Sequence, residues 1–410
     1  MSNKSQVTII GLGSRGDGIA NINGERRYIK NGLPGEEWQI HNDGSLRRVF
    51  DSPLRASPPC IHFGTCGGCV AQHMHKDLYI RWKLEGVEDA FKQRGISPQV
   101  GPLQMLSIGS RRRASLGVER FDGHISIGFR EEKTNTILDI SECLVLDQDI
   151  VTIVPDLKKI AEIAMPNNSV GRIIVTRVDT GLDVDFQNGF KQLLPDERSE
   201  ISHIAENKNI IRLIVSQDII IIRAHPRLTF AGVEVDIPSS VFLQPVPAAE
   251  QIMVNFVLNS LPKKIKKVCD LFCGIGTFTF HLAKRAEVLA YDNDSRAISA
   301  LMEGSKNSQG LKPIQACLRD LFREPLSPKE LDNFDVVLLD PPRIGASKQF
   351  QQLARSKVPT IIAVSCAPST LARDARILID AGYEIGPITC IDQFMFSAHL
   401  EVMTVFKKRS

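Results

Sequence analysis

At 410 residues, with 43% hydrophobic and 24% charged residues, the chain carries enough material for two or three domains with sizeable cores. No run approaches the ~20 consecutive apolar residues of a membrane span, and no repeat or low-complexity tract interrupts it. A formal charge of +3 is too small to identify a nucleic-acid partner. Its clustering says more, because Arg47-Arg48, Arg111-Arg112-Arg113 and Lys263-Lys264 with Lys266-Lys267 form local basic runs. Each run also reads plainly as a solvated face. The opening MSNKSQVTII lacks the order of a signal peptide. With nine cysteines, an odd number, that predicts reduced thiols and a cytoplasmic setting. No motif points to a membrane or to an obligate protein partner.

In chain order, residues 5–50 read as short strands (VTIIGLG, GIANING, RRYIKNGLPGEEWQI) divided by Gly, Asn and Pro turns. A small β-barrel of this kind, 1–52, suits oligonucleotide binding. The Ser- and Pro-rich SPLRASPPC follows as a linker. Leu78, Trp82, Val87 and Phe91 then recur near helical spacing over 76–95, with Gly95 as a stop. Strands return from 109 to 147, with FDG as a hairpin turn. A helix over 151–164 and further strands complete a β-rich central domain, 53–235. From 236 to 410 the apolar runs KKVCDLF, AEVLAYD, FDVVLLD and PTIIAVS alternate with helical stretches. Such runs predict buried parallel strands in a doubly wound, Rossmann-like α/β domain. The fold class is therefore multidomain α/β.

Three clusters carry chemistry. Cys60, Cys66 and Cys69 form C-x5-C-x2-C, with Gly-Gly between the last two. Cys143, in DISECLVL at a strand end, is the best fourth thiolate. Zinc and an iron–sulfur cluster both take four thiolates, and the spacing does not choose between them. It differs from the C-x3-C-x2-C of radical-generating clusters. His62, His73 and His75 read as polar neighbours rather than ligands. Cys269, Cys273, Cys317 and Cys390 read as packing residues.

In VCDLFCGIGTFTFHLA, Asp270 closes a strand, and Gly274 and Gly276 let a ligand approach the backbone. Asp292 ends the next strand, about twenty residues on, where a carboxylate can bind ribose hydroxyls. The D-x-x-x-G-x-G order favours S-adenosylmethionine over a nicotinamide cofactor. Asp320 could contact the adenine, or stand as a surface acid. Asp340 tips a fourth strand before two stiffening prolines, and Arg343 could serve a phosphate. Cys366, in SCAPST, ends the fifth strand on the same sheet edge. It is either packing or a nucleophile, and a thiol of pKa ~8.5 needs local help to ionise.

Together these motifs resemble the bacterial RNA uracil-5-methyltransferases, most closely their iron–sulfur-containing 23S rRNA branch. The resemblance runs nearly full length. GLPGE looks like that family's TRAM domain, and C-x5-C-x2-C with a distant cysteine looks like its [4Fe–4S] site. SVFLQ, DLFCGIGTF, DPPR, SC-x-P-x-T-L-A-R-D and a terminal H-x-E follow in the family's order. The resemblance implies Cys366 as nucleophile, Glu401 as general base, and Gln244, Asp292 and Asp340 in the cofactor and uracil site. Alone, Glu401 reads as an unremarkable exposed carboxylate on a late strand, and His399 stays ambiguous. The implied cofactors are S-adenosylmethionine and a [4Fe–4S] cluster, and the implied partner is RNA. The same reaction on transfer RNA, or a metal-containing RNA-binding factor without catalysis, are the rival readings. Ala367, Val246 and Met395 replace residues usual in the family.

Overall fold

The computed structural model describes residues 5–41, 43–206 and 208–409. The described residues between 5 and 50 form two three-stranded antiparallel sheets. One joins Ser5–Thr8, Glu37–Ile40 and Leu46–Phe50, and the other Gly11–Leu12, Gly18–Ile22 and Glu25–Ile29. They enclose a small core of Ile9, Ala20 and Ile29.

A seven-stranded sheet fills the centre, with Arg113–Phe121 and His124–Arg130 joined by the expected hairpin. Asp122 and Gly123 both take positive φ there, as a two-residue turn matched to the strand twist requires. The helices Gln148–Thr152, Val154–Ala164 and Pro195–Ile204 accompany this sheet. Leu157, Ile160 and Ala161 pack into a core with Leu116, Val175 and Val184.

The C-terminal sheet has nine strands. Lys267–Leu271, Glu287–Asp292, Ile314–Leu318, Val336–Leu339 and Thr360–Ser365 run parallel. Glu401–Lys408 pairs antiparallel with Thr360–Ser365, and Ile388–Ile391 antiparallel with Glu401–Lys408. Strand side chains alternate between two cores: Val336 and Leu338 enter one, Val337 and Leu339 the other. Burial on both faces is why these strands read as unbroken apolar runs.

Two stretches within or bordering the expected central domain pack against C-terminal elements. Helix Lys76–Lys92 buries Val87 and Phe91 in a core under the C-terminal sheet, and Val100–Gln104 pairs parallel with Ile388–Ile391 at its edge. The hairpin Arg227–Phe230 and Val233–Asp236 packs Phe230 and Val235 against Phe280 and Leu301. Among the described residues no helix is long and apolar enough to cross a membrane.

Candidate active site

The five parallel strands bring their carboxyl ends to one edge, where an open α/β sheet binds ligands. Asp270 is fully buried beneath it. Its Oδ2 accepts a 2.6 Å hydrogen bond from Thr279 Oγ1, while Oδ1 has no partner. Burial pushes its carboxyl up to about 7, against the Thr279 bond, and Asp340 and Asp292 add to the rise. The two glycines divide their work. Gly274 has positive φ and open space where a Cβ would be, so a ligand can reach the backbone there. At Gly276, also at positive φ, a Cβ would lie 2.7 Å from Phe280, so close packing against that ring requires glycine there. Asp292 spends its Oδ2 on the Gly274 N–H at 2.9 Å and its Oδ1 on the Asp294 N–H at 2.9 Å. Asp320 lies past the third strand, its Oδ1 accepting from the Phe322 N–H at 2.9 Å.

On the other half of the edge, Gln244, Asp340, Cys366 and Glu401 come together. Gln244 Nε2 donates to Asp340 Oδ2 at 2.8 Å. Gln393 Nε2 faces Gln244 Oε1 at 3.3 Å and donates to Glu401 Oε2. The pairing of Ser365 with Val402 brings Cys366 level with Glu401 across adjacent strands. Glu401 is not the exposed carboxylate its sequence suggests: it is 2% exposed, because the strand beginning there lies between two others. Burial raises its pKa well above the ordinary value, and Asp340 raises it further. Asp340 is itself raised to about 7 by burial, against the Gln244 hydrogen bond.

Cys366 is partly buried, and its thiol is pushed up to about 11 by burial, then by Glu401 and Asp340, with Arg343 opposing. The resting thiol is therefore protonated. Ala367 caps the helix Pro368–Asp380 without a side-chain hydrogen bond. Ser365 Oγ accepts the Ala367 N–H at 3.2 Å instead. Val246 likewise caps the helix Pro247–Ser260 without a side chain.

Cys60, Cys66, Cys69 and Cys143 all line one cavity of about 300 Å³, shared with Arg111, Arg343, Met395 and His399. Cys143 lies beyond the strand Ile137–Asp139, in the loop after it. Burial raises Cys69 to about 12, against a Gln72 hydrogen bond, with Cys143, Cys66 and Cys60 adding to the rise. Among the described residues, no three His, Cys, Asp or Glu side chains are grouped to hold a metal ion as they stand. His62 Nε2 accepts from the Ser141 N–H at 3.3 Å, and His75 caps a helix. His73 is buried with neither ring nitrogen partnered, and burial holds its pKa down to about 4. Cys269, Cys273 and Cys390 are buried packing residues, while Cys317 is partly exposed.

Two contributors escape sequence reasoning. Gln393 bridges Gln244 and Glu401; its only signal is a polar pair, Asp392-Gln393, directly after an apolar strand. Arg112, read as part of a surface basic run, is buried. It donates to the Gln244 carbonyl at 3.0 Å and to Glu250 at 2.7 Å. A buried guanidinium with both partners present orients the segment carrying Gln244.

A family model described as a methyltransferase domain matches residues 262–373. An uncharacterised RNA methyltransferase of Rhizobium meliloti is 40% identical, over 98% of this chain and 99% of its own length. One from Brucella suis is 38% identical over 99% of each. A 23S rRNA (uracil(1939)-C(5))-methyltransferase of Shewanella halifaxensis is 28% identical, over 100% of this chain and 97% of its own. Among solved structures, Pyrococcus abyssi tRNA (uracil-54, C5)-methyltransferase in complex with S-adenosyl-L-homocysteine aligns with a TM-score of 0.75 at 24% identity. That alignment covers 98% of this chain and 99% of the other, so the two share a fold. With relatives this similar over its whole length, the chain belongs to the RNA methyltransferase family.

Proposed function

We propose that the protein methylates C5 of a uridine in 23S rRNA, using S-adenosylmethionine, through a covalent bond between Cys366 and C6 of the base. The observation that carries this reading is the meeting of a thiol, Cys366, with a buried carboxyl, Glu401, beside Asp340 at the sheet edge. C5 of uracil is a weak nucleophile until a thiolate adds at C6. The Cys366 thiol loses its proton to water, its thiolate Sγ forms that bond, and the C5=C6 electron pair moves toward C5 and O4. S-adenosylmethionine, when bound, supplies a methyl group on a cationic sulfonium, whose sulfur takes the C–S pair as C5 takes the methyl. Glu401 then accepts the C5 proton, the C5=C6 bond re-forms, and the C6–S bond breaks to free Cys366.

The chain's own charges suit that donor. Asp270, Asp340 and Glu401 are all raised in pKa by burial, and Asp270 and Glu401 also by neighbouring acids, and a cationic ligand relieves that cost. Unpartnered Oδ1 of Asp270 and Oε1 of Gln393 and Glu401 leave acceptors for it and for the base. Arg343 and the start of the helix at Pro368 favour the Cys366 thiolate. The target base must leave its stack to reach Cys366, which favours a loop or an opened helix.

Four thiols on one cavity are a donor set for a [4Fe–4S] cluster, and their mutual repulsion is what a metal centre would relieve. We assign Cys60, Cys66, Cys69 and Cys143 to it, as a structural centre. The N-terminal unit, 1–52, would hold the surrounding RNA. Its outer faces expose Tyr28, with Arg26 5.4 Å from the ring centroid, and Arg47, Arg48 and Phe50, a mix of cations and aromatics suited to single strands. The full-length relative named for 23S rRNA supports ribosomal over transfer RNA.

Incubation with 5-fluorouridine-containing ribosomal RNA and S-adenosylmethionine tests the chemistry. The fluorine cannot leave as a proton, so a denaturant-stable adduct at Cys366 is expected. An RNA-binding factor without catalysis would form none.

A further inference from the structure

Loop 392–400 runs from the end of the strand Ile388–Ile391 to Glu401, and helix Lys76–Lys92 grips it at both ends. Lys83 Nζ, its side chain 2% exposed, lies 2.9 Å from Asp392 Oδ1 at the loop's start. The same ammonium reaches the His399 carbonyl at 2.5 Å at the loop's end, with the Phe394 carbonyl at 3.5 Å. One helical turn earlier, Tyr79 donates its hydroxyl to Asp392 Oδ2 at 2.6 Å and accepts the Phe396 N–H at 2.9 Å. Asp392 is fully buried. Removing a lysine and an aspartate from water is costly, and a closed hairpin alone does not require it. The residue after Asp392 is Gln393, whose amide meets Glu401.

We propose that Lys83 and Tyr79 are positioning residues that fix Glu401 for proton removal, acting through Asp392, Gln393 and the loop backbone. The proposal rests on the reading of Glu401 as the acceptor of the C5 proton. Cys366 lies on a different strand and a different loop, and the staple reaches Asp340 only through Gln393 and Gln244, so nucleophilic addition and methyl transfer depend on it less directly than proton removal does. Loosening the staple chiefly misplaces Glu401, the carboxylate needed in the last step, which the loop's Gln393 holds directly.

The test compares wild type, Tyr79→Phe and Glu401→Gln on matched RNAs carrying uridine or 5-fluorouridine, with S-adenosylmethionine. Tyr79→Phe keeps the ring and loses both hydrogen bonds. Lys83→Met, a second variant, leaves Asp392 without its cation and is compared only after its fold is checked by circular dichroism. With 5-fluorouridine RNA, where no proton is removed, both staple variants should form adduct at nearly the wild-type rate. With uridine RNA their turnover should fall on the order of 10²-fold, while a methylated protein–RNA adduct accumulates as in Glu401→Gln.

Wild-type turnover in Tyr79→Phe would overturn the proposal. So would equal losses of turnover and of fluorinated adduct, which mark a general structural role. If Glu401→Gln itself accumulates no adduct on uridine RNA while wild type turns over, the assignment of Glu401 fails, and the staple's role falls with it.

Discussion

Gln244 and Asp340, 96 residues apart, meet through a 2.8 Å hydrogen bond in which the amide donates to the carboxylate. The same amide's oxygen faces Gln393, so Asp340 and Glu401 are joined through two glutamines. The bond opposes the burial that raises Asp340 to about 7. Gln244→Ala should therefore move the Asp340 titration further up and leave less carboxylate near neutral pH. S-adenosylmethionine affinity, read by isothermal titration, should drop roughly ten-fold at about pH 7 and recover part of that loss at higher pH. A deficit independent of pH would contradict this account of the bond.

Asp270 has a folded pKa near 7, against an ordinary value of 3.8. A raised carboxyl contributes stability below its unfolded pKa and loses it as pH rises through the folded one. Cofactor-free protein should lose roughly 4 kcal/mol from this group between about pH 4 and about pH 7. Thermal melts across that window should fall for wild type and flatten in Asp270→Asn. Parallel curves for the two proteins would contradict the assignment.

A Cys366 pKa of about 11 leaves roughly one thiolate in ten thousand molecules near neutral pH. Iodoacetamide should alkylate Cys366 slowly, with a rate that climbs with pH beyond the range of an ordinary thiol. Glu401→Gln removes the neighbouring charge that raises the thiol most after burial. It should speed alkylation several-fold above about pH 8 while abolishing turnover. Unchanged or slower alkylation would show that Glu401 does not bear on the thiol.

The segment after Cys69 is latched to loop 392–400, since the Val70 and Ala71 N–H groups donate to the Phe396 carbonyl at 2.8 and 3.1 Å. Anaerobically purified protein should carry iron and sulfide. Cys66→Ala should lose both and expose segment 60–71 to limited proteolysis. Stoichiometric zinc without iron would replace the cluster assignment.

The parallel strands and their carboxyl edge were legible because burial on both faces leaves unbroken apolar runs such as VVLL at 336–339. The hairpin at Asp122-Gly123 was legible because so few residues tolerate its backbone. What stayed hidden depends on partners distant in sequence. Arg112 looks like its neighbours in a basic run until Glu250 and the Gln244 carbonyl enclose it. Glu401 looks exposed until strands from 360 and 388 flank it. Gly276 shares a motif with Gly274, and only the folded packing of Phe280 and Leu301 distinguishes their surroundings. Resemblance to a family marked Cys366 and Glu401, whereas local pattern alone left the first ambiguous and the second ordinary.

The most direct test is a mass-spectrometric map of 5-methyluridine in ribosomal and transfer RNA. It compares cells with the gene, cells lacking it, and the deletion complemented with Cys366→Ala. The account predicts that a ribosomal uridine loses its methyl group in the deletion and that the alanine protein does not restore it. Unchanged 5-methyluridine in both RNAs, or restoration by Cys366→Ala, would contradict it.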